Sequence, residues 1–494
     1  MCRTKPVCEQ ILPLTALCFL FLATPISSTT MSAYVIQSKF RHVYCDAPKP
    51  EACFLNLRLS TTTGEQNYIK ANNKFFAVGL QGGGGPFAVI PLNKPGRYQP
   101  DNAYVIGHSA PVLDFDFNPF DDHIVASASE DQSIKLWGIP EEGLTENLVD
   151  PLCDLFGHTR KVTCLRFHPT ANNVLLSTAA DLTVKVWDCE KSEEISTLDG
   201  VHDQLIQDLV WDYTGTQYVT SSKDKNVRFI DGRSASVSTM IESAHDGTKA
   251  IKLSWLGSLN LMLTVGSSRQ MRQFKIWDPR NMSKEVRKVD VDQGAGTLMP
   301  FFDADTSILY LAGKGDGNIR YYEMTNGDAF CYPLSEYRSN VSAKGMAFVN
   351  KRGMNIGSNE TARLLKLTST SVEPLSFLVP RKSKGFQEDL FPDTASTVPV
   401  YPTPKEWVHS TGSVPPKLMS LKNMPLTMAV SSLHSKGGAS SADDSSLRVE
   451  LEDAQSTISD LASKNSDLEA ENADLKKALA DMAAKLAAAS PHEA

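Results

Sequence analysis

Short runs in which apolar and polar residues alternate recur along most of this 494-residue chain. The clearest lie at 112–117, 162–167 and 205–211, and shorter apolar runs such as 125–128 and 134–137 follow the first of them. Alternation over four to eight residues is typical of half-buried β-strands, and closely spaced strands favour a meander. Weaker runs extend the pattern at 75–78, 87–90, 309–312, 319–322, 345–348 and 364–367. The pattern predicts an all-β protein.

A larger unit repeats on top of this alternation. The histidines that open successive units, His108, His158, His202 and His245, stand 50, 44 and 43 positions apart. This spacing is close to the ~40–45-residue period of WD repeats, each of which forms a four-stranded blade. We therefore predict a seven-bladed β-propeller over residues 32–370. We expect the first strand of the chain to complete the last blade, so that no sheet edge stays open.

Polar residues occupy matching places in these units. In three units the His precedes an Asp by 22 or 23 residues, the Asp precedes the Trp position by six, and a Ser or Thr lies four residues before the Asp. A polar chain buried in a blade is stable only when every member is hydrogen-bonded. Because the set repeats, we interpret it as structural and not as catalytic. Its members are His108, Ser127, Asp131 and Trp137; His158, Ser177, Asp181 and Trp187; and His202, Thr220 and Asp224.

Composition narrows the function further. Outside these tetrads the sequence has no evident set of converging titratable residues, so we predict no enzymatic activity, cofactor or metal. The run QGGGG at 81–85 lacks a following Lys-Ser/Thr and is better explained as a hairpin turn than as a phosphate loop. A net charge of -8 argues against a general nucleic-acid surface. Six of the nine cysteines follow Met31 without a Cys-x-x-Cys pair, which is typical of reduced thiols in an intracellular protein.

The first 31 residues have a different character. Arg3 and Lys5 precede an apolar stretch at 11–26 that resembles a secretory signal and is short for a membrane span. Met31 is itself a suitable start, and everything after it looks cytoplasmic. We therefore favour an upstream extension of the reading frame over a targeting segment, and we expect no stable membrane insertion.

Several flanking motifs resemble the coronin family. The run SKFRHVY at 38–44 is similar to the opening motif of coronins, and 107–143 looks like their first clear repeat. After the propeller, the runs at 379–383 and 387–394, followed by Glu406 and Trp407, resemble the extension that packs under the propeller in coronins. The resemblance runs from about 32 to 422. It implies a coronin-type extension over 371–423.

The end of the chain carries a heptad pattern. After a Ser-, Ala- and Gly-rich stretch at 424–446, predicted to be a flexible linker, apolar residues recur with a 3.5-residue period over 447–488. This predicts a coiled coil. Two successive Asn at core positions favour a parallel homo-oligomer, dimer first, while a trimer and an antiparallel pair stay open. The residues expected at the interface are Leu447, Leu451, Ile458, Leu461, Asn465, Leu468, Asn472, Leu475, Leu479, Met482 and Leu486.

The coronin resemblance implies a function. It predicts a protein that binds actin filaments, oligomerises through its coil, crosslinks or organises the actin cytoskeleton, and lies in the cytoplasm and cell cortex. The actin-related-protein nucleation complex is a further candidate partner. Arg58 matches the position of an Arg important for filament binding in coronins, and Lys39, Arg41 and Lys49 are secondary candidates. The alternative is a WD-repeat scaffold for signalling or vesicle traffic that does not bind actin.

Overall fold

The computed structural model describes residues 38–327, 329–382 and 385–422. The chain divides into two units, Met1–Val430 and Ser431–Ala494, and every described residue belongs to the first. The predicted linker, the coiled coil and residues 1–31 lie outside the described residues. Among the residues that are described, no helix is long and apolar enough to cross a bilayer.

The first unit is a seven-bladed β-propeller, as predicted. Each blade is an antiparallel meander whose strands follow one another in chain order. The strands are Ile69–Ala71, Phe75–Gly79 and Phe87–Pro91 in blade 1; Val112–Phe117, Ile124–Ser129, Ile134–Gly138 and Cys153–Leu155 in blade 2; Val162–Phe167, Val174–Ala179, Val184–Asp188 and Glu193–Leu198 in blade 3; Ile206–Trp211, Gln217–Ser222, Val227–Asp231 and Val237–Ile241 in blade 4; Lys252–Trp255, Met262–Ser268, Met271–Trp277 and Arg287–Asp292 in blade 5; Leu298–Asp303, Ile308–Gly313, Ile319–Met324 and Cys331–Tyr337 in blade 6; and Gly345–Phe348, Glu360–Leu367 and Val372–Leu378 in blade 7.

The amino-terminal segment closes the ring. Tyr44–Asp46 and Phe54–Leu55 both pair antiparallel with the third strand of blade 7, and Gly96–Arg97 adds a parallel pairing outside them. The first strands therefore complete the last blade, which confirms the predicted closure. That third strand, Val372–Leu378, lies beyond the limit of 370 predicted for the propeller, so the strands of the ring end at Leu378.

The core is built between blades, because each blade is covered on both faces. Every residue of Val174–Ala179 is buried, whereas the outer strand Glu193–Leu198 of the same blade is mostly accessible. Carboxylates of the innermost strands also join neighbouring blades. Asp114 Oδ2 accepts the Leu165 amide at 3.1 Å, and the Arg166 guanidinium donates to Asp114 at 3.2 Å and to Asp208 at 3.1 Å. These bonds tie blades 2, 3 and 4 together around the central channel.

After blade 7 the chain forms an arm, described over residues 379–382 and 385–422, that docks on the propeller. Leu390, Phe391 and Leu421 are buried in a cluster shared with blades 6 and 7. The helix Pro404–His409, capped by the Thr403 hydroxyl, buries Trp407 against blades 3 and 4. A two-stranded antiparallel sheet of Thr394–Ala395 and Leu418–Met419 joins the outgoing and returning parts of the arm. The remaining short helices are 3-10 turns at Pro50–Ala52, Gly257–Leu259, Lys351–Gly353 and Ile356–Ser358.

Candidate functional site

The propeller has two faces that the meander topology makes distinct. Loops before the first strand of a blade, and turns between its second and third strands, lie at one end of the sheet. We call this end the tetrad face because the predicted His and Asp residues lie there. The arm contacts the other end, for example where Val400 and Tyr401 donate to the Thr170 carbonyl in the turn between the first two strands of blade 3. We call that end the arm face.

The tetrads of blades 2 and 3 form complete hydrogen-bonded chains. In blade 2, His108 Nδ1 lies 2.9 Å from Asp131 Oδ2, and its Nε2 lies 2.7 Å from the Ser127 hydroxyl. Trp137 Nε1 donates to the same hydroxyl at 2.8 Å. Blade 3 repeats these contacts at 3.0, 2.8 and 2.8 Å with the members His158, Asp181, Ser177 and Trp187. Each chain links the second and third strands, the turn between them and the loop before the blade, which is a structural role.

The electrostatics of these tetrads agree with that role. Burial alone would raise the pKa of Asp131, but hydrogen bonds from His108 and Ser133 outweigh burial and hold this pKa well below its usual range. The pKa of Asp181 is lowered in the same way by His158 and by the backbone amides of Thr159 and Thr183. A carboxylate that stays ionised and fully bonded is a poor general base.

The third tetrad differs from the prediction. Thr220 Oγ1 lies 3.3 Å from His202 Nε2, but His202 Nδ1 is buried without a hydrogen-bond partner in the described structure. Asp224 instead accepts from Arg228 at 2.7 Å. The reason is that Arg228, a buried residue on the third strand, takes the carboxylate. Ile230, which replaces Trp, also offers no N–H to the Thr220 hydroxyl. Burial, followed by the nearby Arg228 charge, lowers the pKa of His202 to about 4.

Blade 5 contains a fourth tetrad, built on His245, in which the sequence pattern missed Gln273. His245 Nε2 lies 2.9 Å from Thr264 Oγ1, and Trp277 Nε1 donates to the same hydroxyl at 2.9 Å. Gln273 Nε2, 3.0 Å from His245 Nδ1, takes the place of the turn Asp. A Gln on the third strand, four residues before the Trp, was the available signal.

The segment Ser60–Tyr68, which we call the channel strap, lies across the tetrad face. Gln66 Nε2 donates to the Thr163 carbonyl of blade 3 at 3.2 Å. From the opposite side of the ring, Lys314 of blade 6 donates to the Gly64 and Gln66 carbonyls, at 2.6 and 3.0 Å. Lys344, before blade 7, donates to the Ser60 carbonyl. The strap is therefore fixed to blades that lie on both sides of the channel.

Arg58 lies on the tetrad face, two residues before the channel strap begins. Its side chain is exposed, and its carbonyl accepts the amide of Gln81 at 2.8 Å. The neighbouring Leu57 amide donates to the Thr370 carbonyl, in the turn between the second and third strands of blade 7. Arg58 thus projects from the seam where the ring closes between blades 7 and 1.

The secondary cations are not brought together with Arg58. Lys39 and Arg41 are exposed next to Phe40, which packs in the cluster that holds the arm, and Lys39 Nζ donates to the Asp389 carbonyl of the arm. Lys49 lies between the two amino-terminal strands. The partners of those strands, Leu378 and Val372, are six residues apart, or about 20 Å. Lys39 and Arg41 therefore lie at the arm-face end of this edge.

Other chemistry is not supported by the geometry. No group of His, Cys, Asp and Glu that could hold a metal ion occurs within the described ranges. The six cysteines there are free thiols, and burial raises the pKa of Cys45 to about 12 and that of Cys53 to about 11. Thiols with such pKa values are not activated nucleophiles.

Models of known families match the first three blades and the carboxyl-terminal end of the propeller with the arm. A model described as a domain of unknown function, DUF1899, matches residues 33–97, and the WD domain, G-beta repeat, matches 101–138 and 149–188. A further type of WD40 repeat matches 372–412, which in the structure comprises the third strand of blade 7 and most of the arm.

Two curated proteins are similar over most of the chain. Coronin-A of Dictyostelium discoideum is 46% identical over 393 residues, which cover 79% of this chain and 87% of that protein. Coronin-like protein crn1 of Schizosaccharomyces pombe is 40% identical over 390 residues, covering 77% of this chain and 64% of that protein.

Solved structures give the same result. The WD40 domain of Toxoplasma gondii coronin superposes with a TM-score of 0.73 at 32% identity, covering 77% of this chain and 98% of that domain. A chain of the mitotic checkpoint complex superposes with a TM-score of 0.53 at 16% identity, covering 74% and 100%, and this likeness shows the propeller fold alone.

Proposed function

Because this chain belongs to the coronin family, we propose that it binds actin filaments and organises the actin cytoskeleton. The chain is a non-enzymatic WD-repeat protein. The tetrads of blades 2 and 3 are occupied in linking the strands and loops of their own blades, so we assign a binding role to the exposed residues. The proposed location is the cytoplasm, at the actin cytoskeleton and cell cortex.

The single observation that supports the contact is the position of Arg58. Its exposed guanidinium projects from the tetrad face, between the strap and the closure seam, on a backbone held by hydrogen bonds on both sides. Actin filaments are acidic, and a cation on a rigid support loses little freedom on binding. Lys39, with its amino group on the arm, has a weaker claim, and Arg41 and Lys49 stay secondary candidates.

Oligomerisation completes the proposal. The heptads at 447–488 would join two or three propellers, and a filament offers many identical sites. Once one head is bound, the second binds intramolecularly, with avidity gains of about 10² to 10⁴ if the linker spans neighbouring sites. Heads that bind different filaments crosslink them. The actin-related-protein nucleation complex is a further proposed partner.

The test is co-sedimentation of the Arg58→Asp protein with actin filaments at low salt. We expect a loss of about tenfold or more in affinity, with circular dichroism unchanged because Arg58 is exposed. Lys191→Asp, which reverses an exposed cation on the arm face of blade 3, is the matched control and should pellet as the unmodified protein does. Normal pelleting of Arg58→Asp would remove Arg58 from the site.

The alternative is a WD-repeat scaffold for signalling or vesicle traffic without direct actin binding. Charge contacts are strongest at low salt, so a direct filament contact must be visible there. If the unmodified protein fails to pellet with filaments under these conditions, the scaffold is the better explanation.

A further inference from the structure

A cleft of about 120 Å³ opens on the tetrad face, and its wall residue Gln81 is hydrogen-bonded to the Arg58 backbone. One water needs only about 10–15 Å³ measured in this way, so the cleft has room for several waters or one short side chain. One wall is the start of the channel strap, and the other is the hairpin turn of blade 1 together with the loop before blade 2. The lining includes Ser60, Thr61, Thr62, Gln81, Gly82 and Pro111.

The hairpin turn supplies backbone donors. Within the described part of the chain, the amides of Gly82, Gly83 and Gly84 donate no hydrogen bond. Gly84 and Gly85 have φ angles of 76° and 58°, and a Cβ on Gly85 would lie 2.1 Å from the Ala110 carbonyl oxygen. The turn therefore needs glycine for its shape. It leaves N–H groups that must find acceptors in water or in a ligand.

The charges around the cleft favour an anion. Arg58 is linked to it directly, since its carbonyl accepts the Gln81 amide at 2.8 Å. Lys344 holds the strap wall through the Ser60 carbonyl, and its Nζ lies 5.3 Å from the centre of the Tyr68 ring. Glu130, bonded through its amide to the Pro111 carbonyl, is neutralised by Lys161 at 3.1 Å.

The walls are also held in place before any ligand arrives. The Ser60 and Thr62 hydroxyls are 3.0 Å apart, and the Thr62 amide also donates to Ser60 Oγ. Lys344 and Lys314 are engaged by strap carbonyls. This leaves the Gly82 amide, the Thr61 hydroxyl, the free hydrogen of the Ser60–Thr62 hydroxyl pair and Arg58 for the ligand, a set suited to one negative charge.

We propose that this cleft accepts one carboxylate side chain of the filament subunit, with Arg58 pairing at its mouth. The inference rests on the proposed function and adds the class of group that is recognised. Hydroxyl and amide donors orient the carboxylate oxygens, while the guanidinium supplies the charge. A rigid cleft of this kind gives register on the filament as well as affinity.

A pair of charge changes at Gln81 tests this. Gln81 is exposed on the cleft wall, and Gln81→Glu places a near-isosteric negative charge there, whereas Gln81→Lys places a positive one. We expect Gln81→Glu to raise the Kd for actin filaments about threefold to tenfold at low salt, and Gln81→Lys to lower it. Both effects should shrink as salt increases.

Gln204 provides the matched control. It is exposed on the same face, in the loop before the first strand of blade 4, across the ring from the cleft. Gln204→Glu and Gln204→Lys make the same changes in net charge and should leave the Kd within about twofold. Equal effects at Gln81 and Gln204 would mean that only the overall charge matters, which overturns the cleft.

The outcomes separate the two proposals. If the unmodified protein does not pellet with filaments, the proposed function fails. If it pellets and both Gln81 variants bind as it does, or both bind more weakly by the same factor, filament binding stands and the carboxylate cleft is wrong. Opposite shifts from Gln81→Glu and Gln81→Lys are the result that supports it.

Discussion

At the scale of single residues, the tetrad hydrogen bonds make a stability contribution that depends on pH. The hydrogen bonds of Asp131 lower its pKa in the folded protein, so this contribution is present above the unfolded pKa of about 4 and is lost as pH falls. We expect Asp131→Asn to reduce the free energy of unfolding by about 1–3 kcal/mol at pH 7. The difference should narrow below pH 4.

Denaturant unfolding at several pH values checks this prediction. Asp101→Asn removes the same charge from an exposed loop and should change the free energy of unfolding little. A constant difference between Asp131→Asn and the unmodified protein from pH 7 down to pH 3 would show that the charge of Asp131 does not stabilise the fold.

Three buried histidines predict a second, higher pH window. Burial is the largest cause that lowers the pKa of His202 to about 4 and those of His168 and His245 to about 3. Between about pH 6.5 and 4 the unfolded chain therefore binds protons that the folded one does not. The free energy of unfolding decreases as the pH decreases through this range. His202→Asn should reduce this slope by up to one proton, about 1.4 kcal/mol per pH unit. The same change at the exposed His42 is the control, and an equal slope in both variants would contradict the assignment.

The sequence predicted residue chemistry only where the repeat is regular. Two tetrads follow the spacing because every member is present, but the third fails because Arg228 competes for Asp224. The spacing of residues cannot predict this competition, because it depends on which side chains share a buried face. For the same reason the sequence could not predict that Arg58 and Lys39 lie far apart. They are 19 positions apart in the chain and lie at opposite ends of one sheet edge.

At the scale of secondary-structure elements, the sequence pattern predicts the buried inner strands better than the accessible outer strands. The inner strands Val112–Phe117 and Val162–Phe167 were predicted to the residue, because their alternation reflects contact with two neighbouring blades. Outer strands such as Glu193–Leu198 carry little apolar signal and were missed. Val372–Leu378 contains Pro374, which weakens a strand pattern and accounts for the propeller limit being set too early.

The arm makes a prediction of its own. Trp407 is fully buried, its Nε1 donates to the Gly215 carbonyl at 3.2 Å, and Arg233 lies 5.1 Å over its ring. Trp407→Ala should cost up to about 3–5 kcal/mol of stability and should release the arm. We expect much faster trypsin cleavage at the exposed Lys405 and Lys417. Val414→Ala, at a residue 41% exposed, is the control; unchanged cleavage of Trp407→Ala would show that the arm is held elsewhere.

At the scale of the whole molecule, ring closure explains why distant sequence meets at the candidate site. The amino-terminal strands complete blade 7, so Arg58, the strap and the blade 1 turn come together with the Thr370 turn. The closure follows from the rule that propellers leave no open edge, which the sequence could supply. The strap's path across the channel could not be predicted, because Lys314 and Lys344 fix it through backbone carbonyls and not through a residue pattern.

The proposed oligomer makes bundling, and not filament binding itself, depend on the carboxyl-terminal heptads. Removing residues from Leu447 onward should give monomers by light scattering, abolish bundling in low-speed pelleting and reduce high-speed co-sedimentation to that of one head. In the full chain, Leu468→Asp at a core position should act in the same direction, whereas Ser466→Asp at an outer position should not. Full bundling by the truncated protein would place two independent filament sites on the propeller, and a full-length protein that stays monomeric at high concentration would remove the coil from the mechanism.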